Sequence, residues 1–138
     1  MNIKAYKMDG LGNDFVIIDQ RTKNIEFSKK QIIKICDRNF IGCDQLIIIK
    51  KNRELDAGLE FYNSDGSTSG ACGNGTRCVA YLLSKENNVR ITHINCCATN
   101  MFIVIFIHNF NTKIFSIFIF TYWNFIPFNF RQANLSFY

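Results

Sequence analysis

Apolar and polar residues alternate from Ile3 to Met8, the period-two pattern of a strand with one buried face. Phe15-Val16-Ile17-Ile18 is an unbroken apolar run and predicts a second, more fully buried strand. Between them, Gly10-Leu11-Gly12-Asn13-Asp14 predicts a hairpin turn, because glycine and asparagine tolerate positive φ. Ser28 suits an N-cap, and Lys29 to Asp37 predicts a helix with Ile32, Ile33, Ile35 and Cys36 on its buried face. Gly42 to Asp44 is a turn, and Gln45 to Ile49 a strand. Lys50 to Gly58 is a polar connection, and Leu59 to Tyr62 a further strand. Val79, Leu82 and Leu83 mark one face of a second helix running to about Glu86. Asn87-Asn88 ends it, and Val89 to Thr92 begins another strand.

The joint between the Leu59–Tyr62 strand and the second helix is the chemically dense stretch. From Asn63 to Cys78 it reads NSDGSTSGACGNGTRC, with four glycines and two cysteines in sixteen residues. A strand, a glycine turn and a helix start together make a common small-molecule site. Cys72 is placed at the helix N-terminus, where free N–H groups and the helix dipole favour negative charge and should lower a thiol pKa. Cys78, about a turn and a half further on, is read as a packing residue, and Cys36 as a small core residue. A phosphate loop is disfavoured, since no Gly-Lys-Ser/Thr ending follows the glycines.

Three ordered segments carry a resemblance: Gly10-Leu11-Gly12-Asn13-Asp14-Phe15, Gly42-Cys43-Asp44-Gln45-Leu46, and Asn63-Ser64-Asp65-Gly66-Ser67 with Ala71 to Cys78. Together they resemble the first half of the diaminopimelate epimerases, over roughly residues 1–92. The resemblance implies an α+β fold, one half of a two-domain architecture in which a mixed sheet or barrel wraps a central helix and the site lies between the halves. It implies interconversion of LL- and meso-diaminopimelate by two cysteines with no cofactor, while the cysteine spacing, with only His93 and His108 to help, disfavours a metal site. Cys72 matches one catalytic cysteine, and Asn13, Gln45, Asn63, Gly73 and Asn74 match substrate contacts. Taken alone, Asn13 reads as a turn residue and Gln45 as an edge polar group. The chemistry is consistent with the residues. Inverting a carbon beside a carboxylate needs an ionised base on one face and a protonated acid on the other. With no pyridoxal lysine motif visible, the carbanion must be stabilised by N–H donors such as those around Gly73 and Asn74. The glycines let backbone approach the ligand.

Composition changes the picture at the C-terminal end. All 11 acidic residues lie at or before Glu86, so the net charge of +5 reflects missing acids in the tail, not a basic face. No basic motif with interleaved aromatics points to nucleic acid. From Met101 on, ten of 38 residues are phenylalanine, and no glycine follows Gly75, so the second cysteine loop of the family has no counterpart. Residues 93–138 are therefore expected to be an unrelated tail of frameshift origin, and the chain is expected to be truncated and inactive. Its apolar runs, 101–107 and 114–120, fall short of the roughly 18–20 residues of a membrane span. Six cysteines without a C-x-x-C pair, and no apolar leader, point to free thiols in a reducing cytoplasm. The expected partner is a small amino acid, diaminopimelate, with a homodimer left open. The alternatives are a non-catalytic remnant or binding module, and another epimerase of the proline racemase or phenazine-biosynthesis type.

Overall fold

The structure, a computed structural model, describes residues 3–87, 91–96, 101–106 and 133–135. Strands β1 (Ala5–Gly10) and β2 (Asn13–Asp19) form an antiparallel hairpin. Its two-residue turn, Leu11-Gly12, has φ of 56° and 86°, the pair of positive values a type I′ turn requires. The short turn lets pairing continue to Gly10 opposite Asn13, so β1 ends two residues beyond the alternating stretch. Helix α1 (Lys29–Cys36) opens on a capping box in which Ser28 and Gln31 satisfy each other's backbone N–H. Strand β3 (Gln45–Lys50) lies parallel to β2, and β4 (Ala57–Asn63) antiparallel to β3. A two-residue strand β5 (Thr68–Ser69) folds back on β4. Helix α2 (Gly73–Asn87) then crosses to β6 (Ile91–Cys96), parallel to β4, and β7 (Met101–Phe106) returns antiparallel to β6. Strand β8 (Ala133–Leu135) pairs with the free edge of β1. The mixed sheet has the order β7-β6-β4-β3-β2-β1-β8, which is the expected α+β architecture. The apolar run 114–120 and Cys97 lie outside the described residues. Among the described residues no helix is long and apolar enough to cross a membrane.

Alternation along the strands sorts the core into two clusters, one on each face of the sheet. Ala5, Val16, Ile18, Leu46 and Ile48 face α1, where they meet Ile32, Ile35, Cys36 and Cys43. Met8, Phe15, Ile17, Ile47, Ile49, Leu59 and Phe61 face α2, where they meet Cys78, Val79, Ala80 and Leu83. This two-sided cover is why β2 and β3 read as continuous apolar runs. Ile33 is an exception to the expected α1 face. It is 41% exposed, because Ile32, Ile35 and Cys36 already fill a narrow stripe and Ile33 lies to its side. The start of β4 at Ala57 and Gly58, both buried, carried no strand signal because neither residue is bulky or β-branched.

Helix α2 is buried on the sheet through Cys78, Val79, Ala80 and Leu83, and its start approaches most closely at Gly75. A Cβ on Gly75 would stand 2.5 Å from Ile47 Cδ1, 3.2 Å from Phe61 Cε1 and 3.3 Å from Phe15 Cε1, whereas at Gly73 it would meet nothing within 4 Å. Overpacking of this kind costs roughly 1–3 kcal/mol, partly offset by about 0.5–1 kcal/mol from the better helix former. Gly75→Ala is therefore expected to lower stability by about 1 kcal/mol, and Gly73→Ala to leave it equal or raise it. Urea unfolding midpoints of the two variants, measured side by side, check this, and equal midpoints would contradict the packing account.

Candidate active site

The three segments that stood out in the sequence converge at one end of the sheet. Register places Phe15, Gln45 and Asn63 across from one another on β2, β3 and β4. All three share the α2 face, and Asn13, two residues before Phe15, has the same parity. Gln45 Nε2 donates to Asn63 Oδ1 at 2.9 Å, and Asn63 Nδ2 donates to Ser67 Oγ at 3.0 Å. The Asn63–Ser67 turn is further closed by Asn63 N–H to the Ser67 carbonyl and Gly66 N–H to the Asn63 carbonyl, both 2.8 Å. Gly66, at φ +77°, turns the chain there against Lys29. The Asn63 amide is thus occupied at both ends, whereas Gln45 Oε1 is buried with no hydrogen-bond partner among the described residues.

Cys72 occupies the N-cap position of α2. Its carbonyl accepts both the Thr76 N–H and the Thr76 hydroxyl, each at 2.8 Å. The N–H groups of Gly73, Asn74 and Gly75 precede the first intrahelical donor and so point out of the helix start. Gly73 is exposed and Asn74 half-buried. Of the four cysteines whose side chains are described, Cys72 is half-buried and Cys36, Cys43 and Cys78 are buried. Burial pushes the Cys78 thiol well above its ordinary range, which suits the packing role read for it. Among the described residues no cluster of three or more His, Cys, Asp or Glu side chains is placed to hold a metal ion.

Two features of the site had not been singled out in the sequence. Arg77 is 9% exposed and donates through Nη2 to Asn74 Oδ1, while its Nε has no partner among the described residues. Burial pulls this guanidinium below its usual pKa, against the opposing influence of the Cys78 and Cys72 thiols. A cation in an apolar helix stretch, three residues from Asn74, was the available signal. The second feature is an ion-pair brace under the loops. Arg38 reaches Asp14 at 2.5 and 2.8 Å and Asp44 at 2.7 Å, and Lys7 reaches Asp14 at 2.5 Å. Asp14 N–H donates to Asp44 Oδ2, and Asp44 N–H to the Asp14 carbonyl, both at 2.9 Å. Burial raises the Asp14 pKa, but the hydrogen bonds from Arg38 and Lys7 and the Lys7 charge outweigh it and hold the carboxyl well below the usual range.

The architecture is shared with a class of solved α+β folds. A phenazine biosynthesis protein of the PhzF family from Bacillus anthracis superposes with a TM-score of 0.61 at 16% identity, covering 85% of this chain and 40% of that one. Methylitaconate-delta-isomerase superposes with a TM-score of 0.62 at 16% identity, covering 80% and 61%. At such identities the likeness concerns the fold. Within that class, a family profile described as diaminopimelate epimerase matches residues 5–114, and the chain belongs to this family. It is 77% identical over 87 residues to the diaminopimelate epimerase of Pelagibacter ubique and 49% identical over 82 residues to that of Phenylobacterium zucineum. Those stretches are 63% and 59% of this chain but 32% and 30% of the relatives, so the chain spans about a third of their length.

The brace makes stability depend on acid. Asp14 has a folded pKa below the unfolded value of about 3.9, so its contribution is fully present above that value and is lost as pH falls through it toward the folded value. Asp14→Asn is expected to lose roughly 1–3 kcal/mol at pH 7, the scale of charged hydrogen bonds, and the deficit should shrink as pH falls below about 4. Unfolding midpoints of both proteins from pH 7 to pH 3 check it. A deficit that stays constant with pH would show that Asp14 acts by shape and not by charge.

Proposed function

We propose that this chain carries one half of a cofactor-independent proton-transfer site that acts at the α-carbon of diaminopimelate, in a cytoplasmic pathway toward lysine. The observation that supports the reading is that the start of α2, which follows Cys72, packs at Gly75 on Phe15, Ile47 and Phe61, each two residues along its strand from Asn13, Gln45 or Asn63. In this reading the Cys72 thiolate exchanges the α-proton on one face of the substrate. The substrate carboxylate, as it gains enolate charge, lies against the N–H groups of Gly73 and Asn74. Arg77 occupies the Asn74 carboxamide oxygen, which leaves its Nδ2 free to donate to the same carboxylate. Gln45 Oε1, an acceptor without a partner among the described residues, suits a substrate ammonium group, and Asn13 borders the same sheet end. The proton on the opposite face needs a second acid or base. Among the described thiols, Cys36 and Cys43 lie across the sheet and Cys78 is buried, so that group comes from elsewhere. The boundary near residue 92, with an unrelated tail beyond it, belongs to this proposal and rests on composition alone, against a family profile that runs on to residue 114 and a strand β6 that crosses the boundary. Reading the downstream nucleotide sequence in all three frames tests it.

A second reading keeps the pocket but not the reaction: a binding module that holds an amino acid through Gln45, Asn74 and the helix start. The accessible thiol tells the two apart. Cys72 is expected to be alkylated first when reagent is limiting, and peptide mapping after iodoacetamide reads this directly. Faster labelling of Cys36 or Cys78 would remove the basis for the proton-transfer role.

Turnover follows the same logic. Losing one well-placed acid or base costs about 10²- to 10⁴-fold, and a cleft open on one side costs more. The purified chain is expected to show no useful epimerisation, with at most slow deuterium incorporation at the α-carbon that disappears in Cys72→Ala. Stereochemical analysis of the product in deuterated water decides it. Robust inversion abolished by Cys72→Ala would place the second base within residues 93–138, with Cys96 and Cys97 the first to test.

A further inference from the structure

Cys36 closes α1, and Cys43 stands two residues before Gln45 at the start of β3. Both lie on the face of the sheet away from Cys72, at 3% and 1% exposure. Their sulfurs are 3.3 Å apart, with the Cys43 thiol donating to Cys36 Sγ. The backbone holds them in that position. Cys43 N–H donates to the Cys36 carbonyl and Gly42 N–H to the Ile35 carbonyl, both at 3.1 Å. Gly42, at φ +76° and packed against Arg38, reverses the chain between them. The Asp14–Arg38–Asp44 brace pins the same loop from outside. An ordinary buried cysteine sits against apolar atoms and is inert. These two sit against each other, a disulfide needs S–S of about 2.05 Å, and so closing the bond asks for a movement of only about 1.2 Å.

The two sulfurs are not equivalent. The hydrogen bond from Cys43, and after it the Leu46 N–H, hold the Cys36 thiol below its usual pKa against the opposing effect of burial. The same bond, with burial, holds the Cys43 thiol well above its usual range, so Cys43 keeps its proton. One sulfur is suited to attack an oxidant and the other to resolve the product.

We propose that Cys36 and Cys43 form an oxidisable dithiol that hydrogen peroxide converts to an intramolecular disulfide, fastening the end of α1 to the entry of β3. The Cys36 thiolate attacks one peroxide oxygen. The O–O bond breaks, hydroxide leaves and takes up a proton as water, and Cys36 becomes a sulfenic acid. Cys43 then attacks the Cys36 sulfur, its thiol proton goes to the departing hydroxyl, and a second water leaves. Two thiols are oxidised by two electrons and one peroxide is reduced to two waters. A small neutral oxidant fits the site because the burial of both sulfurs excludes a bulky disulfide such as oxidised glutathione. The proposal is independent of the role of Cys72.

The test uses the full chain. It is exposed to hydrogen peroxide, unfolded in alkylating reagent and digested with trypsin. Cleavage after Lys34, Arg38 and Lys50 puts Cys36 on residues 35–38 and Cys43 on residues 39–50. The expected product is these two peptides linked, lighter by about two hydrogens than their reduced sum and separated again by dithiothreitol. In Cys43→Ala the linked peptide should vanish and Cys36 should instead carry sulfenic or sulfinic oxygen. Cys36 linked to another cysteine, or both thiols still alkylatable after Cys72 has been oxidised, would overturn the proposal. If the variant does not fold, the wild-type digest alone decides.

Discussion

The close seating of α2 on the sheet is the contact on which the proposed site depends most. The contact is backbone against side chain: Gly75 lies where a methyl group would collide with Ile47 and crowd Phe61 and Phe15. Those three side chains belong to three neighbouring strands, so one glycine sets the height of the helix start over β2, β3 and β4 at once. The same three strands end in Asn13, Gln45 and Asn63. The start of α2 is therefore positioned over these strands by core packing, which is dense and tolerates little drift. A site mounted on helix and strand ends in this way is held more firmly than one carried by a free loop.

The second face of the sheet holds the loops themselves. The segments around Asn13 and Gln45 come from parallel strands, which cannot be joined by a tight turn. Asp14 and Asp44 link them by mutual backbone and side-chain bonds, and Arg38 and Lys7 neutralise the two carboxylates. Exposed ion pairs alone contribute little, but here the carboxylate oxygens also accept backbone N–H groups, so the pairs position chain ends as well as balance charge. The aspartates of the Asn13-Asp14 and Asp44-Gln45 pairs hold the frame, while their neighbours face the opposite side.

The α+β class, both helices and the site loops were legible because their signals are local. Ser28 announces a cap, the apolar runs announce strands covered on both faces, and glycines around Cys72 announce a backbone that must turn tightly. What escaped is what depends on pairing between distant segments. Nothing near Asp14 in sequence shows that Asp44 and Arg38 will meet it, and nothing near Cys36 shows that its sulfur will touch that of Cys43. Ile33 looked like core because it is apolar, yet only the stripe of Ile32, Ile35 and Cys36 has a sheet to face. Strand β5 has two residues, too few to carry a period. Arg77 was visible as a charge within an apolar helix, but its burial depends on how far α2 sinks onto the sheet.

The unsatisfied polar atoms fall where a ligand reading would put them. A buried group without a partner costs roughly 1–3 kcal/mol, and folded proteins keep few of them. Among the described residues two such side-chain atoms are found, Gln45 Oε1 and Arg77 Nε. Gln45 begins β3 beside Asn63, and Arg77 bonds Asn74 in the first turn of α2, the helix that starts just after Cys72. One is an acceptor and the other a donor on a cation, and an amino acid supplies the complement of both: an ammonium to donate and a carboxylate to carry negative charge. In the proposed reading, an amino-acid ligand reaching Gln45 Oε1 and Arg77 Nε would satisfy both atoms and offset their desolvation.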